Sequence, residues 1–242
     1  MRLAALLIAC LTGQAASADC RDMTFENQPY TVCAVQAGQD LRLFLNGPQG
    51  AYGGFAALEA ELAQTGEMLG FAMNAGMYLP DLSPAGLYIE DGAKLTPLVT
   101  SDGPGNFGLL PNGVFCIADR FSVVESRAFA KADPACRFAT QSGPMLVIAG
   151  KLHPLFKPGS ESLNLRNGVG VSADGQTAYF AISNHAVNFA SFARLFRDGL
   201  GTPNALYFDG SISRLYAPDL GRFGAGFDIG PMVGLVLPKE PG

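Results

Sequence analysis

The chain has 242 residues, of which 48% are hydrophobic and 15% are charged, and it contains 30 glycines and 16 prolines. This length suits one large domain with a substantial core, and the many glycines and prolines predict a turn-rich, strand-rich globular protein rather than a disordered one. The formal net charge is −5, and lysine and arginine form no cluster along the sequence, which argues against a nucleic-acid-binding surface.

The first 18 residues have the features of a secretory signal peptide. Arg2 supplies a positively charged start, residues 3–11 form an apolar core, and Ala16-Ser17-Ala18 matches an A-x-A cleavage site. The apolar run is too short to span a bilayer, and no later segment reaches the necessary length. We therefore expect an exported protein, periplasmic or secreted, that begins at Asp19 after cleavage.

Four cysteines follow the signal peptide: Cys20, Cys33, Cys116 and Cys136. An even number in an oxidising compartment predicts disulfide bonds. Three pairings are possible, and pairing nearest neighbours in sequence would close two local loops. The cysteine spacings do not match a zinc site and the chain has 2 histidines, so the sequence predicts no metal centre and no cofactor.

Turn signals between apolar, β-prone segments predict a series of hairpins. The dipeptides that carry these signals are Asp91-Gly92, Asn112-Gly113, Ala149-Gly150 and Asp174-Gly175. The corresponding strand pairs are predicted over residues 86–98, 107–117, 145–152 and 169–182.

Two segments have helical spacing instead. The first carries apolar residues on one face from Phe55 to Leu69 and should end near Gly70. The second should begin after Asn188, which can cap it, end at Gly199, and lead directly into another strand. Since no linker or fixed-period repeat interrupts the chain, we predict a single α+β domain with a twisted mixed β-sheet, many hairpins and a few packed helices.

Four short polar segments lie next to apolar runs and predict the wall of a single site. They combine amide, hydroxyl, guanidinium and carboxylate groups, and their glycines would let a ligand approach the backbone because they lack a Cβ. This mixture suits a polyhydroxylated ligand that carries phosphate. The candidate site residues are Asn74, Gly76, Gln141, Ser142, Gly143, Arg166, Asn167, Gly168, Asp209, Gly210, Ser211 and Ser213.

Asp209 and Arg166 are the candidates for a chemical role. Asp209 follows an apolar strand, where a carboxylate can act as acid, base or charge stabiliser, although an Asp-Gly pair is also an ordinary turn. Arg166 could clamp phosphate through two hydrogen bonds or form a surface ion pair with Glu161. Asn74 and Gln141 could offer a donor and an acceptor to sugar hydroxyls or satisfy buried backbone groups.

Two further motifs carry weaker predictions. Residues 103–108 match G-x-G-x-x-G, but no strand-turn-helix context surrounds them, so a loop is expected rather than a dinucleotide site. Ser142 or Ser211 could form a hydrolase triad with His185 and Asp209, although neither serine stands in a G-x-S-x-G elbow.

The order of these motifs resembles the phosphodiester glycosidase family, in particular its bacterial exported branch. The resemblance covers roughly residues 71–236 and implies a phosphodiester glycosidase-like domain over residues 19–242. Two departures from the family pattern concern the substrate pocket: Met77-Tyr78 replaces a Phe-Phe pair, and the glycine run after Asp209 is short. The segments that carry the resemblance are Asn74-x-Gly76, Ser83-Pro84-x-Gly86-Leu87-Tyr88, Gln141-Ser142-Gly143-Pro144, Arg166-Asn167-Gly168-Val169-Gly170 and Asp209-Gly210-Ser211.

The resemblance implies hydrolysis of the bond between a sugar's anomeric carbon and a phosphate that is esterified to a second alcohol. Arg166 would stabilise charge on the weakly basic leaving phosphate. Asp209 would orient or deprotonate water, or stabilise the cationic sugar. Asn74, Gln141 and Ser211 would hold sugar hydroxyls and phosphate oxygens in register.

Two other functions stay open at this stage. The short glycine run would also fit a phosphoglycan-binding module that does not catalyse turnover, and attack at phosphorus or at an acyl carbon would make the protein a phosphodiesterase or esterase. A glycosidase mechanism would also use a second carboxylate, for which Glu90 and Asp102 are candidates. The expected partner is a sugar phosphodiester or phosphoglycan substrate, with no nucleic acid and no membrane span.

Overall fold

The computed structural model describes residues 18–210 and 212–239. Within these ranges the chain forms three multi-stranded sheets, a two-stranded ribbon and three short α-helices. The predicted α+β class is confirmed. The prediction of one twisted mixed sheet is wrong, because there are several sheets and every strand pair among the described residues is antiparallel.

The elements follow one another closely along the chain. The helices are α1 (Phe55–Gln64), α2 (Ser126–Ala132) and α3 (Phe189–Arg194), which a π-helical turn (Leu195–Gly199) extends. The strands are β1 (Asp19–Phe25), β2 (Gln28–Gln36), β3 (Leu41–Phe44), β4 (Asn46–Gly47), β5 (Gly50–Ala51), β6 (Glu67–Asn74), β7 (Tyr88–Glu90), β8 (Ala93–Thr96), β9 (Gly113–Ile117), β10 (Phe121–Glu125), β11 (Phe138–Ser142), β12 (Met145–Ile148), β13 (Lys151–Leu152), β14 (Asn167–Val171), β15 (Thr177–Ser183), β16 (Asn204–Asp209), β17 (Leu215–Ala217), β18 (Arg222–Phe223) and β19 (Met232–Pro238).

The three sheets enclose a common core. The seven-stranded sheet has the order β1-β2-β15-β14-β16-β12-β13, and the two five-stranded sheets have the orders β10-β9-β11-β7-β8 and β18-β17-β6-β19-β3. Successive side chains of a strand point to opposite faces. In β16, Phe208 therefore faces the core shared by all three sheets, whereas Tyr207 faces a second core that Phe192 and Phe196 cover.

The predicted hairpins at residues 91–92, 149–150 and 174–175 are confirmed. The strand pair predicted over residues 107–117 is wrong: only β9 is a strand there, and it pairs with β10 and β11 instead. Residues 107–112 form turns, because Asn112 Nδ2 donates to the Phe107 carbonyl at 3.0 Å and Leu109 N–H donates to the Asn106 carbonyl at 3.3 Å.

The helices differ from their prediction mainly at their ends. α3 begins as expected after Asn188, whose side chain accepts a hydrogen bond from Ser191 N–H at 2.9 Å. α1 ends at Gln64 rather than near residue 70, because Gly66 adopts a φ of 73° and turns the chain into β6. Helix α2, which has 7 residues, was not predicted.

Both disulfides join the cysteines that are nearest in sequence. Cys20 and Cys33 face each other across the β1–β2 hairpin. Cys116 on β9 is bonded to Cys136, which lies just before β11. The second bond closes a longer loop, which contains β10 and α2.

We expect the double variant Cys116→Ala/Cys136→Ala to lower the free energy of unfolding by about 3 kcal/mol, because a loop of this length is then no longer closed in the unfolded chain. Urea denaturation without reductant would measure the loss. Cys20→Ala/Cys33→Ala is the variant for comparison. Its cysteines are 13 residues apart rather than 20, so it should lose slightly less stability. An unchanged midpoint and slope in the first variant would contradict the expectation.

Candidate active site

The predicted polar segments meet at one end of the seven-stranded sheet. Asn167, at the start of β14, lies opposite Asp209, at the end of β16, and Asn74 ends β6 of a neighbouring sheet. Asn167 Nδ2 donates to the Asn74 carbonyl oxygen at 2.7 Å and to Asn74 Oδ1 at 3.0 Å. Asn167 Oδ1 accepts from Asp209 N–H at 3.0 Å. One amide side chain therefore joins three strand ends from two sheets.

The orientation of both amides follows from the donors around them. Asp209 N–H can only donate, so the atom of Asn167 that faces it is the oxygen, and Nδ2 faces Asn74. Arg214 N–H donates to Asn74 Oδ1 at 2.9 Å, which fixes the second amide in the same way. Asn74 Nδ2 is left buried without a hydrogen-bond partner in the described part of the chain. A buried donor without a partner lowers the stability of the fold by about 1–3 kcal/mol. Buried polar groups of this kind are expected chiefly at functional or strained sites.

Hydroxyl groups brace the turn that follows β16. Ser213 Oγ donates to the Gly210 carbonyl at 2.6 Å and lies 3.3 Å from Asn167 Oδ1. Ser142 Oγ donates to the Phe208 carbonyl at 2.9 Å, which ties the end of β11 to β16. Both serines therefore hold the backbone on which the Asp209 carboxylate is mounted.

The side chains of Asn74, Ser142, Asn167 and Ser213 and the turn that carries Asp209 form one polar cluster. The Asp209 carboxyl is half-buried at the surface of this cluster. Its Oδ1 accepts from Gly210 N–H at 2.6 Å. Burial raises the pKa of the Asp209 carboxyl above its usual range, and the Gly210 hydrogen bond only partly opposes this effect. A carboxyl group with a raised pKa beside a polar cleft is a candidate acid or base.

Tyr78 lies at the edge of the cluster, where the charges of Asp209, Asp228 and Arg214 act on it. Its hydroxyl donates to the Asp228 carbonyl at 2.9 Å. Burial raises the pKa of Tyr78, the charges of Asp209 and Asp228 raise it further, and the charge of Arg214 lowers it. The phenol therefore lies close to two carboxylates and one guanidinium.

Arg214 presents a cation at the same edge. A Cβ placed on Gly226 would lie 2.8 Å from its Nη2, so the guanidinium packs against the loop before β19. Burial lowers the pKa of Arg214, and Tyr78 and Asp228 oppose that effect. Within the described ranges no carboxylate lies within 4.0 Å of its guanidinium nitrogens. A partly dehydrated guanidinium without an ion pair is suited to bind an anion.

Arg166 is fully buried and presents no surface to a ligand. Its Nε donates to the Val187 carbonyl at 2.8 Å, its Nη2 to the Ser162 carbonyl at 2.9 Å, and its Nη1 to the Tyr207 hydroxyl at 3.3 Å. Its Cζ lies 3.6 Å from the centre of the Phe189 ring. The direct phosphate clamp and the surface ion pair expected for Arg166 are both absent from this arrangement, because protein groups already surround the guanidinium.

Tyr207 connects Arg166 with the turn that carries Asp209. A Cβ on Gly210 would lie 2.7 Å from the Tyr207 hydroxyl oxygen, so this position requires glycine. Burial raises the pKa of Tyr207, the charge of Arg166 lowers it, and the charge of Asp209 raises it. Arg166 therefore acts on the Asp209 turn through one phenol rather than by direct contact.

Gln141 is also committed to the protein interior. Its Oε1 accepts from Leu87 N–H and Val99 N–H, both at 3.0 Å. Its Nε2 donates to the Val99 carbonyl at 2.5 Å and to Ser126 Oγ at 2.9 Å. Both polar atoms of the amide are engaged. Gln141 therefore connects β11 with Val99 and with Ser126 of α2, and it has no free group for a sugar.

The predicted glycines allow close packing beneath the site. A Cβ on Gly168 would lie 2.5 Å from the Leu206 carbonyl oxygen, and a Cβ on Gly143 would lie 2.6 Å from the Asn112 Cβ. A Cβ on Gly76 would lie 2.9 Å from Thr140 Oγ1. All three are buried, so they serve the approach of backbone segments rather than the approach of a ligand.

The predicted site residues that the structure describes fall into two layers. Ser211 lies outside the described residues. Asp209, Gly210 and, at 8% exposure, Ser213 reach the surface, whereas the others form a buried floor beneath them. The sequence connected Tyr78 with the substrate pocket, but the prediction gave it no role and missed Arg214, Tyr207 and Asp228. Arg214 and Tyr207 adjoin predicted motifs, and this proximity was the available signal. Asp228 lies in a loop without a motif.

The triad with Ser142 and the two candidates for a second carboxylate find no support in the geometry, whereas the triad with Ser211 depends on a residue outside the described ranges. The Ser142 hydroxyl donates to a backbone carbonyl, and His185 is exposed. Glu90 accepts from the Tyr88 hydroxyl at 2.8 Å and lines a separate cavity of about 230 Å³, and Asp102 is exposed. Residues 103–108 form a loop, as predicted.

A cavity of about 580 Å³ adjoins the cluster through Ser213 and Arg214. Asn184 and Arg222 also line it. This volume is typical of small-molecule sites. A larger cavity of about 820 Å³ lies elsewhere and has none of the site residues in its wall.

Residues 68–224 match the family model described as phosphodiester glycosidase. The chain belongs to the phosphodiester glycosidase family. This match contains every residue of the cluster, whereas Asp228 lies beyond its end. Membership agrees with the resemblance found in the motifs.

Relatives of this chain include the uncharacterised protein YigE of Escherichia coli, which is 38% identical over 205 residues, covering 83% of this chain and 79% of YigE. Among solved structures, the catalytic domain of zebrafish N-acetylglucosamine-1-phosphodiester alpha-N-acetylglucosaminidase, auto-inhibited by its pro-peptide, aligns with a TM-score of 0.59, 14% identity, and coverage of 92% of this chain and 86% of that one. A Burkholderia pseudomallei protein thought to be exported aligns with a TM-score of 0.52, 13% identity, and coverage of 87% and 74%. At these identities the two structures show the shared fold.

The disulfides bear on where the protein works. Two disulfides are typical of proteins that fold in an oxidising compartment. Among the residues described here, no helix combines the length and the apolar character needed to cross a bilayer.

We expect Asn167→Asp to destabilise the protein in a pH-dependent way, because an oxygen would replace the Nδ2 that faces two oxygens of Asn74. The protonated acid can still donate, so the folded state would raise the pKa of the new carboxyl above about 3.9, its value in the unfolded chain. The loss of stability should therefore be small below about pH 4 and should grow to roughly 2–4 kcal/mol as the pH rises through the folded-state pKa.

Urea denaturation of wild type and variant from pH 4 to 8 would measure this loss. Asn204→Asp is the matched control, because Asn204 uses only its oxygen, which accepts from Ala149 N–H at 2.9 Å. A pH-independent difference between Asn167→Asp and wild type would disprove the assigned amide orientation.

Proposed function

We propose that this protein is a hydrolase that cleaves the bond between the anomeric carbon of a sugar and a phosphodiester in a phosphoglycan, in the periplasm or after secretion. The observation that carries the proposal is the amide network of Asn167 and Asn74, which holds together the backbones of Asp209 and Arg214. The first residue presents a half-buried carboxyl with a raised pKa, and the second presents a guanidinium without an ion pair among the described residues. Family membership supports the reaction class, and the zebrafish enzyme of similar fold is named for an N-acetylglucosamine-1-phosphodiester.

In this reaction Asp209 accepts a proton from water. The water oxygen forms a bond to the anomeric carbon, the bond from that carbon to the phosphate oxygen breaks, and its electron pair leaves with the phosphate monoester. A weakly basic phosphate leaves without a strong proton donor, so a base matters more than an acid. The raised pKa makes the Asp209 carboxylate a stronger base than an exposed one.

Arg214 binds the leaving phosphate. It takes the role that sequence reasoning gave to Arg166, because its guanidinium is only half-buried and lines the adjoining cavity. Negative charge grows on the phosphate oxygen as the bond breaks, and a fixed cation in a partly dry site stabilises that charge. Arg166 is instead a positioning residue that holds the Tyr207 hydroxyl against the Gly210 turn.

The test of this function is hydrolysis of a sugar-1-phosphodiester in water enriched in oxygen-18. We expect the label on the released sugar, because water attacks carbon. Label on phosphate would instead identify a phosphodiesterase, and saturable binding without release of sugar would identify a binding module.

We expect Asp209→Asn to lower kcat/KM at least about 100-fold, since general base catalysis contributes 100- to 10,000-fold in typical cases. In wild type, kcat/KM should fall as the pH drops through the Asp209 pKa, because only the carboxylate accepts a proton. Asp119→Asn, at an exposed turn, is the matched control. A folded Asp209→Asn variant with wild-type kcat/KM would exclude this residue as the base.

We expect Arg214→Gln to lower kcat/KM about 10- to 100-fold and Arg214→Lys to lose less, because hydrogen bonds to charged groups contribute about 1.5–3 kcal/mol. Steady-state kinetics on the same substrate would measure both variants. Arg137→Gln removes an exposed ion pair with Asp91 and is the control. If Arg214→Gln and Arg137→Gln behaved alike, another group would have to hold the phosphate.

A further inference from the structure

We infer that the cavity beside the active site binds a second anionic group of the substrate, carried on the leaving portion, through Arg222. The inference rests on the proposed function and narrows its substrate class to phosphoglycans in which successive units each carry phosphate. Arg222 would act as a specificity-determining residue that contacts the substrate away from the bond that breaks.

Arg222 is anchored at one end of its guanidinium and free at the other. Its Nη1 donates to Thr31 Oγ1 at 2.5 Å and to Asn184 Oδ1 at 2.7 Å. Its Nε and Nη2 make no hydrogen bond to any part of the chain that the structure describes. Two donors of a planar fork are therefore fixed in place beside the cavity, which is the arrangement that binds phosphate or carboxylate.

The charge of Arg222 is only partly balanced. Asp22 is the acidic side chain in the cavity wall, and the Thr31 hydroxyl donates to its Oδ1 at 2.5 Å. The structure has no salt bridge between Asp22 and Arg222 within 4.0 Å. Burial lowers the pKa of Arg222, and the charge of Asp22 opposes this effect. An anion in the cavity would replace the hydration that the guanidinium has lost.

The position of Arg222 relates it to the proposed reaction. Arg214 and Arg222 line the same cavity of about 580 Å³, and so does Ser213, whose hydroxyl donates to the Gly210 carbonyl next to Asp209. With the sugar at Asp209 and the phosphate that leaves at Arg214, the alcohol portion of the substrate would enter this cavity, whose wall also contains Arg222. An anion at that end would be the phosphate of the next unit of the chain.

The inference is tested with two sugar-1-phosphodiesters that share the same sugar and the same alcohol chain, one ending in hydroxyl and the other in phosphate. The measured quantity is the ratio of their kcat/KM values. Wild type should prefer the phosphate-bearing substrate, and Arg222→Gln should lower the ratio at least about tenfold, because a hydrogen bond between charged partners is lost.

A second variant avoids any dependence on how Arg222→Gln folds. Ala225 is exposed and lines the cavity, so Ala225→Glu should fold and should also lower the ratio by repelling the added phosphate. Arg197→Gln, which removes a half-buried arginine that is paired with Asp198 and does not line the cavity, should keep the wild-type ratio. Equal kcat/KM for the two substrates in wild type, or a ratio unchanged in both cavity variants, would overturn the inference, whereas hydrolysis of neither substrate would overturn the proposed function itself.

Discussion

The geometry of the site depends on the Asn167 side chain, which bridges two sheets with both of its polar atoms. Strand ends from separate sheets have no backbone ladder between them, so their spacing must come from side chains. Asn167 supplies it by donating to Asn74 and accepting from Asp209 N–H. Because Arg214 N–H also bonds to Asn74, the same amides position the carboxyl-bearing turn and the arginine that we assign to phosphate.

The two arginines illustrate how burial separates structural from chemical roles. Arg166 is surrounded by backbone carbonyls, a phenol and an aromatic face, which satisfy a cation that has no carboxylate partner. Arg214 has lost part of its hydration without gaining such partners. The contacts of Arg166 hold the surrounding segments together. Arg214 lacks such partners, so an anion that binds it would replace part of its lost hydration.

Much of this arrangement could be predicted from sequence, because local patterns encode it. The apolar strands beside Asp209 and Asn167, the cap at Asn188 and the turns at three hairpins are properties of a few adjacent residues. The depth of a side chain depends on tertiary packing, and so Arg166 and Gln141 were assigned to the surface of the site although they lie below it. Asp228 could not be found at all, because only the folded chain brings its loop to Tyr78.

The burial of Arg166 limits which residues of the cleft can be exchanged. A guanidinium cannot lose its charge at physiological pH, so the carbonyls of Ser162 and Val187 must stay around it for as long as the protein is folded. Tyr78, Arg214 and Arg222, in contrast, lie in loops and short strands outside this buried layer. Engineering a different specificity would therefore exchange these residues and leave in place the scaffold that carries the carboxylate.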